Sequence, residues 1–297
     1  MSASEPAVLP GQPRAVAALF ALVAGALAMG VSPVMVRLAD VGPYASAFWR
    51  VALAMPLLWA WARSQDDGGT IARAFGSRAV QTAGVIFTAD LFFWHLAVMN
   101  TTVANATFLA TTAPLWVVLG SWFLIGERVE RSVFLGLLLC VGGGAVLLGS
   151  SYSLTPEHLL GDIYGVATSI FFGTYFLAVR VARRTTSAAT VTFISSAITS
   201  AVLLVVALVM EPTILPSSWN GLAILLALAF ISHAGGQGLL AYALGHLSAA
   251  FSSLVIFMEA IAAALVAWVV LGEQIGLPQL VGGILILAGI FIARPRS

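Results

Sequence analysis

Charge is what this chain has least of. Only 8% of its 297 residues are Asp, Glu, Lys or Arg, and all 13 basic residues are arginine. A soluble domain carries roughly 25% charged residues, so a soluble globular fold is excluded. No nucleic-acid partner is expected. Cysteine is nearly absent as well: the lone Cys140 sits inside an apolar run, which excludes an internal disulfide and offers no metal cluster. Redox chemistry is not suggested, and neither a cofactor nor a metal is expected. Gly-x-Ser-x-Gly and His-Glu-x-x-His are missing too, so no nucleophile–base or metal motif supports an intramembrane hydrolase or acyltransferase. The apolar run Ala15 to Val36 is longer than the 7–15 residues of a signal-peptide core, so it is expected to stay as the first span.

What is there is apolar. Hydrophobic residues make up 60% of the chain and mean hydropathy is +1.02. A hydrocarbon layer about 30 Å thick takes about 20 apolar residues per helix, and a backbone in lipid must satisfy itself. The expected class is therefore an all-α integral membrane protein in contact with the lipid bilayer. Spans are expected at 15–38, 44–62, 78–99, 103–125 and 132–150, then at 161–182, 187–210, 220–244, 248–271 and 277–293. That makes ten. A small polar tail (1–13) precedes a first repeat (14–150), and a linker (151–160) joins it to a second repeat (161–293) and a C-terminus (294–297).

The division rests on an internal copy. Ala104 to Ala145 returns as Ala250 to Phe291 after a shift of 146 positions, matching Trp122 to Trp268, Gly126-Glu127 to Gly272-Glu273, and Gly136/Gly143 to Gly282/Gly289. Gly30 to Arg37 resembles Gly173 to Arg180 at a shift of 143. The paired glycines fall on one helix face and permit close approach, for packing or dimerisation. Monomer and homodimer both stay open. With the N-terminus in the cytoplasm, Arg14, Arg63, Arg73, Arg78, Arg128, Arg131, Arg180, Arg183, Arg184, Arg294 and Arg296 fall on that side, leaving Arg37 and Arg50 for the other. This bias places both termini in the cytoplasm. Five helices per repeat is odd, so the copies enter the membrane in opposite directions, as in secondary transporters that expose a central site alternately to each side.

Arg50-Val51-Ala52-Leu53, the run Asn105 to Pro114, Gly126-Glu127-Arg128 and the second Gly-Glu pair with its glycines resemble the drug/metabolite transporter superfamily, specifically its EamA-type bacterial exporters. The resemblance covers nearly the whole chain. It implies a basket of ten helices around a central cavity, with helices 5 and 10 packed behind, in a bacterial inner membrane. It also implies export of amino acids, metabolites or lipophilic compounds, and the aromatic amino acid and methyl viologen exporters are the first branch to consider. The proline expected in both fourth-helix equivalents is Pro114 in one copy but Ala260 in the other.

Two carboxyls fall near the membrane midplane, Asp90 and Glu259. A charge at that depth costs at least roughly 2.5–3.5 kcal/mol on insertion scales, so each is a candidate for proton coupling or for binding a substrate amine. The repeat sets Asp90 opposite Gly236, in the run Gly235-Gly236-Gln237-Gly238, and sets Glu259 opposite Ala113, beside Pro114. His95 lies about 140° around the helix from Asp90, so the two form no relay. His233 and Gln237, the polar Asn105 at the start of helix 4, and the aromatics Trp94, Tyr175 and Tyr242 complete the candidate binding residues. Trp94 is one turn from Asp90, and an aromatic-walled pocket suits an aromatic amino acid or a flat organic cation. Pro33, Pro56, Pro114, Gly235 and Gly236 are candidate kinks or hinges. No catalytic residue is expected. A small-molecule solute is the expected partner. A nucleotide-sugar or sugar-phosphate exchanger is disfavoured because the arginines fall at the membrane edges, and a passive channel is the remaining alternative.

Overall fold

The computed structural model describes residues 13–66, 68–149, 155–271 and 275–294. The expected tail up to residue 12, the first part of the linker, the Gly272-Glu273 corner and residues 295–297 lie outside them. Among the described residues there is no strand.

The first apolar run folds as α1 (Pro13–Gly30) and α2 (Ser32–Leu38), the second as α3 (Pro43–Ala52) and α4 (Met55–Ser64). A short α5 (Thr70–Phe75) precedes α6 (Arg78–Asn100), and the fourth run splits into α7 (Val103–Thr111) and α8 (Ala113–Ile125) before α9 (Arg131–Gly149). A 3₁₀ turn (Pro156–His158) leads into α10 (Leu159–Ala182), and α11 (Ala188–Met210) follows. The next run joins α12 (Trp219–Ala227), a π-helical stretch (Leu228–Gln237) and α13 (Gly238–Ala243). Helices α14 (Ala249–Val255), α15 (Met258–Leu271) and α16 (Leu277–Ala293) complete the chain. By length and composition, 8 helices of the described residues can cross a membrane; Leu277–Ala293 is apolar but shorter.

Proline sets three of the breaks. Pro33, Pro56 and Pro114 each stand in the first turn of the helix that follows the break. A proline there gives up an N–H that the carbonyl four residues back would have taken, so the ladder is interrupted. The second copy is broken at the matching place with Ala260 instead of proline. There the backbone tightens to i→i−3 bonds, Phe257 N to Leu254 O at 3.1 Å and Glu259 N to Ile256 O at 2.8 Å.

The two halves build one corner alike. Arg37, at the end of α2, donates to the Val98 carbonyl at 2.8 Å, and Arg180, near the end of α10, donates to the Leu244 carbonyl at 2.9 Å. Asn100 Nδ2 turns back to Leu96 O at 2.8 Å, and His246 Nδ1 meets Tyr242 O at 3.0 Å. Thr102 caps α7 through the Asn105 N–H, and Ser248 caps α14 through the Phe251 N–H. Each cap satisfies a helix-start amide that has no intrahelical acceptor.

Helices α9 and α16 pack on each other through the glycine stripes. A Cβ added to Gly143 would meet the Gly282 carbonyl at 2.7 Å, and one added to Gly289 would meet Gly136 O at 2.7 Å. The stripes therefore serve close packing within one chain. Neither helix contributes to the central cavity. Helices α1, α3, α6, α10, α11 and the π-helical stretch pack around the interior. Large apolar side chains such as Phe20, Trp122, Phe123 and Phe291 face outward, as lipid-facing surface requires.

Candidate functional site

The helix breaks and the π-helical stretch surround a central cavity lined by Met29, Ser32, Arg50, Asp90, Gln237 and Glu259, among others. Arg50 on α3, only 4% exposed, lines it. Nη2 of Arg50 donates to Ser232 Oγ at 2.9 Å, and Ser232 Oγ in turn donates to Ser32 Oγ at 3.1 Å. The guanidinium carbon lies 5.2 Å from the centre of the Trp94 ring, within reach of a cation–π attraction. Two hydroxyls and one ring thus hold the planar fork in place, while Nε has no partner.

Two carboxyls share the cavity. Asp90 on α6, 5% exposed, and Glu259 in the first turn of α15 both line it with Arg50. The charge of Arg50 acts on both acids, and the acids act on each other. Neither forms a direct ion pair with it among the described residues. Glu259 Oε1, Gln237 Oε1 and Thr168 Oγ1 also lack partners and line the same space. Phe172, Met29 and Leu91 supply the apolar wall.

The π-helical stretch explains how one segment gives two of these groups. In an α-helix, residues five apart point about 140° from each other. Bonding i→i+5 widens the turn and swings Ser232 and Gln237 toward one side, where one bonds Arg50 and the other lines the cavity.

The description "EamA-like transporter family" matches residues 16–149 and again 159–294. The chain belongs to the EamA-like transporter family. It is similar to an uncharacterized transporter of Archaeoglobus fulgidus, 32% identical over 199 residues that cover 66% of this chain and 69% of that one. It is also similar to the pseudopaline exporter CntI of Pseudomonas aeruginosa, 25% identical over 84% of this chain and 86% of that one. A third relative, the aromatic amino acid exporter YddG of Ancylobacter novellus, is 33% identical over 92 residues, covering 30% of this chain and 32% of that protein. One solved crystal structure shares the fold with a TM-score of 0.76 at 20% identity, over 94% of this chain and 95% of that one. Membrane embedding and a small-molecule solute follow from the family.

Within this EamA-like transporter, Asp90, Trp94, Gln237 and Glu259 come together in the cavity, and the other expected binding residues do not line it. His95 is buried with Nδ1 at 2.8 Å from Leu91 O and its ring edge on Trp94, so it braces the cavity wall from behind. His233 bonds Ser196 Oγ at 2.9 Å and stacks on Phe87, which also stacks on Tyr175 at 4.6 Å between centroids. Asn105 donates to Asp162 Oδ1 at 2.9 Å, and Tyr242 packs on His246 at the α13–α14 corner. Pro114 is buried in α8, and Gly236 admits the close passage of α1 at Met29. Glu127 accepts from Arg180 at 2.6 Å and from the Ala249 N–H at 3.1 Å, joining α8, α10 and α14.

The largest correction concerns Arg50. Its place near the start of a span suggested a membrane edge, yet the structure buries it in the cavity. An argument from an arginine-free cavity against anionic groups therefore no longer holds. An ionisable residue seven positions into an apolar helix, Pro43–Ala52, was the available signal.

Proposed function

We propose that this chain is a secondary transporter that exports a small amphipathic solute, an aromatic amino acid or a related metabolite, from the cytoplasm by alternating access. The observation that carries this reading is the set Arg50, Asp90 and Glu259, which line one cavity between helices of both halves. Three ionisable groups in an apolar interior are costly, and a cycle that binds a polar solute and moves coupling ions is what makes such a cost useful. The similarity to exporters of pseudopaline and of aromatic amino acids supports export and the solute class.

The architecture proposed is ten spans in two inverted repeats, with both termini in the cytoplasm of a bacterial inner membrane. The alike corners at 98–105 and 244–251 support the repeat, and the arginine distribution supports the orientation. A sugar-phosphate exchanger is disfavoured by the charge balance of the cavity. A phosphate ester would bring about two negative charges beside two carboxyls, against one arginine.

The test is uptake of labelled tryptophan into proteoliposomes holding the purified protein, at equal pH and with an imposed proton gradient. Saturable uptake competed by phenylalanine is the expected result, and accumulation only under the gradient would implicate Asp90 or Glu259 in coupling. Absence of uptake in both conditions would remove the aromatic assignment.

A further inference from the structure

We propose that the cavity binds its solute as a zwitterion, with Arg50 anchoring a carboxylate and Glu259 together with Gln237 anchoring an ammonium group. This rests on the transporter reading above and assigns the two ends of the solute.

The unpartnered polar atoms sort by chemistry. Arg50 Nε is a donor without an acceptor, and Glu259 Oε1 and Gln237 Oε1 are without hydrogen-bond partners; the first is an acceptor when ionised and the second is an amide oxygen acceptor. All three residues line one cavity. Buried polar groups are expensive to leave unmade, so the site fits a ligand that brings an acceptor to one place and donors to another. An amine alone would leave Arg50 Nε unmet. A carboxylate alone would leave both acceptors unmet, and it would add a negative charge beside Asp90 and Glu259. A zwitterion meets all three and adds no net charge.

Arg50 is also prepared for that task. The bond from Nη2 to Ser232, backed by Ser32, and the Trp94 face fix the plane of the guanidinium. A planar fork held in one orientation is suited to a carboxylate in a way that a flexible ammonium is not. Trp94 and Phe172 in the lining leave an aromatic wall for the remainder of the solute.

The experiment is counterflow of labelled tryptophan in proteoliposomes, competed by unlabelled tryptophan, tryptamine, which lacks the carboxylate, or indole-3-propionate, which lacks the ammonium. Each one-ended analogue should compete about tenfold or more weakly than tryptophan. In Arg50→Gln that penalty should collapse for tryptamine, and in Glu259→Gln it should collapse for indole-3-propionate. Ser232→Ala, which keeps the charge and removes its support, should narrow the tryptamine gap in the same direction, and it covers the case in which Arg50→Gln fails to fold. Either analogue competing as well as tryptophan in the unaltered protein overturns the proposal. If tryptophan is not transported, thermal stabilisation of the purified protein is read against the twenty amino acids and their decarboxylated amines. Stabilisation by a non-aromatic amino acid but not by its amine sinks only the aromatic assignment and upholds the zwitterion site. Stabilisation by none of them, or equally by amino acid and amine, overturns the zwitterion site.

Discussion

At the scale of single residues, position along the chain is a poor guide to depth. Asp40 lies in the corner between α2 and α3, where its carboxylate accepts from Ser217 Oγ and Ser218 Oγ, each at 2.8 Å. Those hydroxyl bonds, first that of Ser217, hold its pKa below the ordinary aspartate value of 3.8. A depressed carboxyl contributes stability that is present above the unfolded value and lost as pH falls through the folded one. Asp40→Asn should therefore lower the melting temperature in detergent slightly at neutral pH, and the gap to the unaltered protein should close as the pH falls below the ordinary aspartate value. A gap that persists at the acid end would mean that the carboxylate charge is not what ties this corner to the α11–α12 loop. The candidate site shows the same lesson. Asp90, Glu259 and Gln237 could be picked from the sequence because an acid, or a polar group among glycines, in an apolar run is conspicuous wherever it falls, and Trp94 because it stands one turn from Asp90. Arg50 could not be placed in the cavity, since the depth of α3 in the bundle is set by its packing on α6, α11 and the π-helical stretch. His233 and Tyr175 carry the same chemistry as cavity residues, yet they bond and stack with Ser196 and Phe87.

At the scale of elements, helix extents follow from the length of apolar runs, and the breaks at Pro33, Pro56 and Pro114 follow from a missing N–H. The break ahead of Met258 and the π-helical stretch Leu228–Gln237 have no such local mark, because they come from how the backbone is packed and bonded within the bundle. The glycine stripes were legible as contact faces, but the partner of each was not. That partner is the other copy of the same stripe. A methyl added at Gly143 would sit 2.7 Å from the Gly282 carbonyl and 2.9 Å from the Ile286 amide nitrogen, both backbone atoms that cannot turn aside. Gly143→Ala should cost about 1–3 kcal/mol, as overpacking does, seen as a lower melting temperature in micelles. Gly142→Ala, one position away with nothing within 4 Å, should change stability by less than about 0.5 kcal/mol. Equal effects of the two substitutions would mean that α9 and α16 do not approach through this face.

At the scale of the whole molecule, the question is which way each half runs through the membrane. The α6–α7 and α13–α14 corners use matched residues for matched bonds, Asn100 and His246 each turning back to the carbonyl four residues earlier. In two halves inserted in parallel these corners would lie on one side. In inverted halves they lie on opposite sides, and the proposed orientation, with both termini in the cytoplasm, would set Asn100 outside and His246 in the cytoplasm. Cys140, the lone native thiol, is buried at 0% exposure, so single cysteines can be introduced with little background. In intact cells a membrane-impermeant thiol reagent should label Asn100→Cys, and it should label His246→Cys only after the membrane is permeabilised. Labelling of both from the outside would contradict the inversion, and with it the route by which one cavity set of Arg50, Asp90 and Glu259 could face each side in turn.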